Sequence, residues 1–132
     1  MFSSDNSIGG FHDDVLNATP SDEASSLRLI EEIKNRAKGS IASHNYPGAI
    51  ALYTKAIDIC PDQPATKAIL YSNRSLCHFS MGCYDLAITD ADLSIVTDST
   101  YLKGYFRKIQ GLYQRAKGSD LTVAMGHLHH CL

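Results

Sequence analysis

An internal repeat constrains the fold of this chain more than any other feature of its sequence. The Tyr-Pro-Gly-Ala-Ile stretch that begins at Tyr46 recurs as Tyr-Asp-Leu-Ala-Ile from Tyr84, 38 positions further on. The Tyr-Ser-Asn-Arg stretch from Tyr71 corresponds to Tyr-Phe-Arg-Lys from Tyr105, 34 positions further on. A period of about 34 residues is typical of solenoids, in which each repeat buries its apolar face against its neighbours. The chain is therefore expected to be a stack of similar units.

Each unit is expected to contain two helices. Apolar residues three or four positions apart form stripes before and after the turn at 45–48, and the same arrangement surrounds the turn at 81–83. A further helix is predicted over 101–116 and another from Leu121. No stretch shows the sustained alternation that is typical of strands, so the fold class is all-α.

Two details of these helices also follow from the sequence. Ser25 or Ser26 could cap the first helix, because a serine side chain can accept a hydrogen bond from the free N–H groups of the first turn. The 38-residue spacing exceeds the basic period by four residues, and we expect an extended loop around 63–67 to contain them.

The resemblance to a known family rests on three stretches: Tyr-Thr-Lys-Ala-Ile from Tyr53, Leu-Tyr-Ser-Asn-Arg-Ser from Leu70, and Leu-Lys-Gly-Tyr-Phe-Arg-Lys from Leu102. With them, residues 26–116 resemble the three-repeat tetratricopeptide domains of heat-shock co-chaperones. The resemblance implies three tetratricopeptide repeats, each an antiparallel helix pair, stacked as a short right-handed solenoid.

These observations divide the chain into a tail and one domain. Residues 1–24 are rich in Ser, Asp, Asn and Gly, and we expect them to form a disordered N-terminal tail. The tetratricopeptide domain is expected over 25–132. Its three repeats are predicted at about 26–61, 64–98 and 101–132.

The resemblance also implies a binding site. Members of this subclass hold the C-terminal Glu-Glu-Val-Asp of large cytosolic chaperones in a carboxylate clamp of five side chains. Aligned without gaps, four clamp positions match in kind: Lys34, Asn73, Lys103 and Arg107. The fifth, an asparagine in the family, falls on Lys38. Lysine donates hydrogen bonds but cannot accept them, so a point charge replaces an amide at this position.

The residues support such a site independently of the family. Lys34 and Lys38 are four apart on one helix, as are Lys103 and Arg107 on another, so each pair projects from one helix face. Asn73 lies on the helix between them, and the first helices of stacked pairs line a concave surface. Phe106 and either Ile109 or Leu112 are candidate apolar contacts in this groove.

Charge is unevenly distributed in a way that suits an acidic ligand. The chain has 12 Lys+Arg against 14 Asp+Glu, a formal net charge of −2. The segment 99–119, however, contains five cations and no acidic residue. A peptide that ends in free carboxylates would be steered to this segment.

Other function classes are disfavoured. The net negative charge argues against nucleic acid or a membrane surface as a partner, and no apolar run is long enough to cross a bilayer. The sequence contains no catalytic motif, so we expect neither enzymatic activity nor a cofactor. His127, His129, His130 and Cys131 match no defined metal-ligand spacing, so no metal site is predicted. Without an evident secretory signal, the expected location is cytoplasmic.

The leading hypothesis is therefore a co-chaperone-like adaptor that binds the acidic C-terminal peptide of heat-shock protein 90 or heat-shock protein 70 class chaperones. One alternative is a repeat scaffold for a different peptide or protein. Another is a targeting domain of a larger co-chaperone enzyme, such as a phosphatase or a prolyl isomerase. Either self-association through the C-terminal helix or limited stability is also expected, because a terminal repeat needs its apolar surface covered.

Overall fold

The computed structural model describes residues 12–117, and this part of the chain contains six helices and no strand. In chain order the helices are α1 (Asp13–Leu16), α2 (Glu23–Ala42), α3 (Tyr46–Ile59), α4 (Pro64–Ser80), α5 (Tyr84–Thr97) and α6 (Leu102–Lys117). The prediction of an all-α fold is confirmed. The sixth predicted helix, from Leu121, lies outside the described residues.

The long helices pack in chain order as successive pairs. Helix α2 packs on α3, α3 on α4, α4 on α5 and α5 on α6, and α4 also contacts α6 directly. Small residues make this close packing possible: Ala49 and Ala56 of α3 and Ala87 and Ala91 of α5 are fully buried. Helices α4 and α6 are each the first helix of a repeat, and their contact forms one wall of the predicted groove.

The N-terminus of α2 differs from the sequence expectation. The helix begins at Glu23, and Asp22 is its N-cap rather than Ser25 or Ser26. Asp22 Oδ1 accepts a hydrogen bond from the Ser25 N–H at 2.7 Å. The two serines lie inside the first turn, where their own N–H groups need a partner, so the carboxylate before them takes the capping role.

The prediction of an extended loop around 63–67 was wrong, because α4 already begins at Pro64. The four extra residues of the longer spacing lengthen this helix instead. Four residues add about one turn and about 40° of rotation, so the buried face of α4 stays nearly in register. Pro64 suits the start of a helix, since the first turn needs no N–H donor from that position.

Part of the segment expected to be a disordered tail is helical, since α1 covers Asp13–Leu16. Val15 of α1 is only 4% exposed and belongs to the core cluster formed with α2 and α3. The Arg36 guanidinium donates to both carboxylate oxygens of Asp14, at 2.6 and 2.8 Å. An apolar anchor and a two-point ion pair therefore attach α1 to the first helix pair.

None of the helices within 12–117 combines the length and the hydropathy that a membrane span requires.

Candidate functional site

Two glycines fix how α6 sits on its neighbours. A Cβ at Gly104 would lie 3.0 Å from Ser94 Oγ, and a Cβ at Gly111 would lie 2.8 Å from Ile88 Cγ1. Both residues are buried, and seven positions correspond to nearly two full turns. The Gly104–Gly111 face of α6 therefore packs directly on α5, which leaves the neighbouring face for the groove.

Arg107 lies on the face of α6 that turns toward α4. It is half-buried, and burial lowers its pKa, while the nearby Cys77 of α4 is close enough to interact with it electrostatically. Helix geometry places Arg107 about 60° around α6 from Gly104, and Lys103 about 100° from it in the same direction. Lys103 is exposed. The two predicted clamp residues of α6 thus share one side of the helix.

Asn73 of α4 lies near Tyr53 of α3. Asn73 is half-buried, and Tyr53 is only 2% exposed. Burial raises the pKa of Tyr53 to about 12, and the nearby Asn73 side chain partly opposes that shift. The amide of Asn73 therefore lies beside a buried phenol.

Cys77 connects Asn73 with Arg107. It lies one turn after Asn73 on α4 and is fully buried, and burial raises its pKa to about 11. Tyr53 of α3 and Arg107 of α6 are both near Cys77, and α4 packs on both of these helices. Asn73 and Arg107 therefore lie on adjoining helices.

The two lysines of α2 stand apart from this boundary. Lys34 is half-buried and forms an ion pair with Glu31 of its own helix at 3.3 Å, whereas Lys38 is exposed. Over residues 12–117, no hydrogen bond or ion pair links Lys34 or Lys38 to α4 or α6.

Arg36 has a structural role on the other flank of α2. Besides Asp14, it donates to Glu32 Oε2 at 2.8 Å. It is two residues beyond Lys34, about 200° further around the helix. Helix α1 is therefore attached away from the lysine flank and leaves it uncovered.

The two predicted apolar contacts differ in position. The Arg107 guanidinium lies 5.6 Å from the ring centroid of Phe106, which keeps this ring beside the predicted clamp. Ile109 is 65% exposed and lies about 200° around α6 from Arg107. Helix periodicity thus places Ile109 on another side of α6 from Arg107, and its contact with a ligand stays a prediction.

The ion pairs of α6 separate its cations into two groups. Lys108 pairs with Asp92 of α5 at 2.8 Å, and Arg115 pairs with Asp85 of α5 at 2.8 Å. In the described part of the chain, Lys103 and Arg107 have no ion-pair partner. Two cationic side chains that no carboxylate of the described residues neutralises form a site suited to an anionic ligand.

Sequence reasoning missed two side chains of this site. It assigned Tyr53 to the repeat core without its contact to Asn73. It also passed over Gln110, whose Oε1 atom is buried without a hydrogen-bond partner. The signal for Gln110 was available, since it follows Arg107 by three positions and continues the face defined by Lys103 and Arg107.

The part of the chain that the structure describes contains no group of three or more His, Cys, Asp or Glu side chains arranged to hold a metal ion. The histidine and cysteine cluster at residues 127–131 lies beyond it.

Comparison with known proteins identifies relatives but no matching family model. The chain is 36% identical over 105 residues to small glutamine-rich tetratricopeptide repeat-containing protein 2 of Saccharomyces cerevisiae, an alignment that covers 80% of this chain and 29% of that protein. It is 38% identical over 93 residues to serine/threonine-protein phosphatase 5 of Mus musculus, covering 68% of this chain and 18% of the phosphatase.

A plant relative is also similar. The chain is 35% identical over 78 residues to Hsp70-Hsp90 organizing protein 2 of Arabidopsis thaliana, covering 59% of this chain and 13% of that protein. The chain thus spans less than a third of the length of these relatives.

Proposed function

Because this chain is a tetratricopeptide repeat domain of the co-chaperone type, we propose that it is a non-enzymatic adaptor for heat-shock chaperones. Its ligand is the acidic Glu-Glu-Val-Asp C-terminus of a heat-shock protein 90 or 70 class chaperone. The observation that carries the proposal is that Lys103 and Arg107 have no ion-pair partner within residues 12–117, on a helix that packs against the helix of Asn73.

The chemistry of the site suits carboxylates. Lysine and arginine supply only hydrogen-bond donors, and a carboxylate supplies only acceptors. Each charge-assisted hydrogen bond contributes about 1.5–3 kcal/mol, and a few of them minus the cost of ordering a peptide correspond to roughly micromolar affinity. The Asn73 amide, which has both donor and acceptor atoms, can add an uncharged hydrogen bond to the ligand.

The first repeat contributes positive charge in this proposal. Lys34 would exchange its partner Glu31, which is 69% exposed, for the ligand carboxylate. Lys38 adds a second charge where the family has an asparagine, so the terminal carboxylate meets two ammonium groups. Ionic attraction should therefore account for more of the affinity here than it would with an asparagine, and added salt should weaken binding.

The proposal also includes a cellular location and a class of partner. We place the adaptor in the cytoplasm, with a protein partner rather than nucleic acid or membrane. Self-association through the predicted C-terminal helix stays a prediction, since residues 118–132 lie outside the described part of the chain.

Substitution of the unpaired cations tests the proposal. Fluorescence anisotropy with a labelled Met-Glu-Glu-Val-Asp peptide should show at least a tenfold loss of affinity for Lys103→Ala combined with Arg107→Ala. Lys108→Ala is the matched control, because Lys108 lies on the same helix but pairs with Asp92. Equal affinities for the wild-type protein and the double variant would overturn the proposal.

A scaffold for a different peptide is the second candidate, and Lys38 in place of an asparagine favours it. Such a scaffold would bind an internal acidic segment as well as a chain terminus. A peptide extended by two glycines beyond the aspartate distinguishes the two functions, because the extension removes the terminal carboxylate from its position. The clamp predicts strongly weakened binding, and the scaffold predicts unchanged binding.

A targeting domain within a larger co-chaperone enzyme is the third candidate. The alignment with serine/threonine-protein phosphatase 5 supports it, since the chain corresponds to 18% of that enzyme. In that setting the groove would bind the same peptide, and catalysis would belong to another part of the protein. Phosphatase and prolyl isomerase assays on this chain should both be negative.

A further inference from the structure

We infer that Gln110 contacts the bound ligand, and that its side-chain oxygen accepts a hydrogen bond from a backbone N–H of the peptide. The inference rests on the proposed function, because it requires an extended peptide in the groove between α4 and α6. It adds a contact outside the five clamp positions, on a residue that the resemblance does not assign.

Unsatisfied polar atoms on α6 are the first observation. Arg107 Nε and Gln110 Oε1 are buried, and neither has a hydrogen-bond partner within residues 12–117. Most buried polar groups in proteins are hydrogen-bonded, so an unpaired donor and an unpaired acceptor one turn apart require an explanation. They do not bond to each other, although a donor and an acceptor could. Each therefore remains available to a partner that enters from outside.

A third unpaired atom shows what distinguishes this pair. Ser72 Oγ also lacks a partner, but Ser72 is fully buried, so no ligand can reach it. Arg107 and Gln110 are only half-buried as whole side chains. Because no hydrogen bond holds Gln110 Oε1 in its buried position, rotation of the side chain toward the groove breaks no existing bond.

The position of Gln110 on α6 is the second observation. Lys103, Arg107 and Gln110 follow one another at spacings of four and three, which places them along one side of the helix. This side is rotated away from the Gly104–Gly111 face that packs on α5. Gln110 thus continues the line of the two unpaired cations by one further turn. A peptide held at Lys103 and Arg107 would reach it with an adjacent residue.

The chemistry of an acidic peptide determines which group Gln110 can bind. An ionised carboxylate side chain is only an acceptor, so it cannot pair with a side-chain oxygen. The Glu-Glu-Val-Asp sequence carries no side-chain donor, and its only donors are the backbone N–H groups. Gln110 Oε1 must therefore take a main-chain N–H. Such a contact would fix the path of the peptide without reading its side chains.

The experiment combines peptide and protein changes. A set of Met-Glu-Glu-Val-Asp peptides, each N-methylated at one backbone nitrogen, is titrated by calorimetry into the wild-type protein and into Gln110→Ala. Because N-methylation removes one donor at a time, we expect one peptide to lose five- to tenfold in affinity for the wild-type protein. Gln110→Ala should bind the unmodified peptide five- to tenfold more weakly than the wild-type protein does. For this variant, N-methylation at the same nitrogen should lower the affinity by less than a further twofold.

Two further variants serve as controls. Gln114→Ala makes the same change one turn beyond Gln110 and should keep the full effect of N-methylation. Gln110→Met keeps the length of the side chain without its acceptor and should behave as Gln110→Ala does. Circular dichroism on all variants should show unchanged helix content, since none of these substitutions removes an existing hydrogen bond.

The outcomes separate this inference from the proposed function. If every N-methylated peptide loses as much affinity for Gln110→Ala as for the wild-type protein, the inferred contact is wrong, although the proposed function stands. If the wild-type protein fails to bind the unmodified peptide, the proposed function is wrong and the inferred contact falls with it.

Discussion

Arg74 and Asp90 form a two-point ion pair that joins α4 to α5, with Nε and Nη2 of the arginine each donating to one carboxylate oxygen at 2.8 Å. Arg74 also donates to Thr54 Oγ1 of α3 at 3.0 Å, so one guanidinium bonds to the helices on both sides of its own. Arg74 directly follows Asn73 in the sequence. The pair therefore helps to fix the rotation of α4 about its axis, and with it the direction of the Asn73 side chain.

Removal of this pair should strongly destabilise the protein. Asp90 is only 3% exposed, so Asp90→Ala leaves the Arg74 charge half-buried without its partner, and the free energy of unfolding should fall by about 3–5 kcal/mol. Urea denaturation measures this change. The control is Asp92→Ala, which breaks the half-exposed Lys108–Asp92 pair and should cost less than about 1 kcal/mol. Similar losses for both variants would contradict the assigned role.

A buried histidine beside the same carboxylate should make stability depend on pH. His78 Nε2 lies 3.6 Å from Asp90 Oδ2, and burial lowers the pKa of His78, an effect that Asp90 opposes and Arg74 reinforces. The unfolded chain therefore takes up the His78 proton at a higher pH than the folded protein does. Stability should be full above the ordinary histidine pKa of about 6.5 and should decrease as pH falls from 7 toward 5.

Thermal melts of the wild-type protein and of His78→Gln across pH 7 to 5 test this dependence. The variant should show a shallower decrease, because glutamine does not titrate. The carboxylates with lowered pKa values, such as Asp98, titrate below this range and should contribute equally to both proteins. Parallel curves for the two proteins would rule out His78 as the cause.

Glycine substitutions should reveal the close contact of α6 with α5. A Cβ at Gly111 would lie 2.8 Å from Ile88 Cγ1, so Gly111→Ala should destabilise by about 1–3 kcal/mol even though alanine favours helices. Gly39 of α2 has nothing within 4 Å of a Cβ, and Gly39→Ala should stabilise by about 0.5–1 kcal/mol. A denaturation experiment should therefore show changes of opposite sign in the free energy of unfolding for the two variants. Stabilisation by both substitutions would show that α5 and α6 are not tightly packed.

The sequence predicted much of this fold because its information is local and repeated. Apolar spacing and the recurrence between the stretches at Tyr46 and Tyr84 were sufficient for the helix pairs. The attachment of α1 was not predictable in this way, because Asp14 and Arg36 pair across 22 residues of sequence. A four-residue insertion is likewise compatible with a loop or with one helical turn, and only the packing of α4 decides between them.

The register of the repeats and the family resemblance select Asn73, Lys103 and Arg107 as candidate binding residues, and their role in binding stays a prediction. Neither could show that Lys103 and Arg107 have no ion-pair partner within residues 12–117, because this depends on where the acids of α5 point. The contact of Tyr53 with Asn73 and the unpaired oxygen of Gln110 depend on packing between helices, which spacing alone does not determine.

Recognition of a free chain end is the central claim, and isothermal titration calorimetry with two matched peptides tests it most directly. Met-Glu-Glu-Val-Asp with a free C-terminal carboxylate should bind the wild-type protein with roughly micromolar affinity. The same peptide with an amidated C-terminus should bind at least tenfold more weakly, because the terminal carboxylate is lost. Equal affinity for the two peptides, or no detectable binding of either at high micromolar concentration, would contradict the claim.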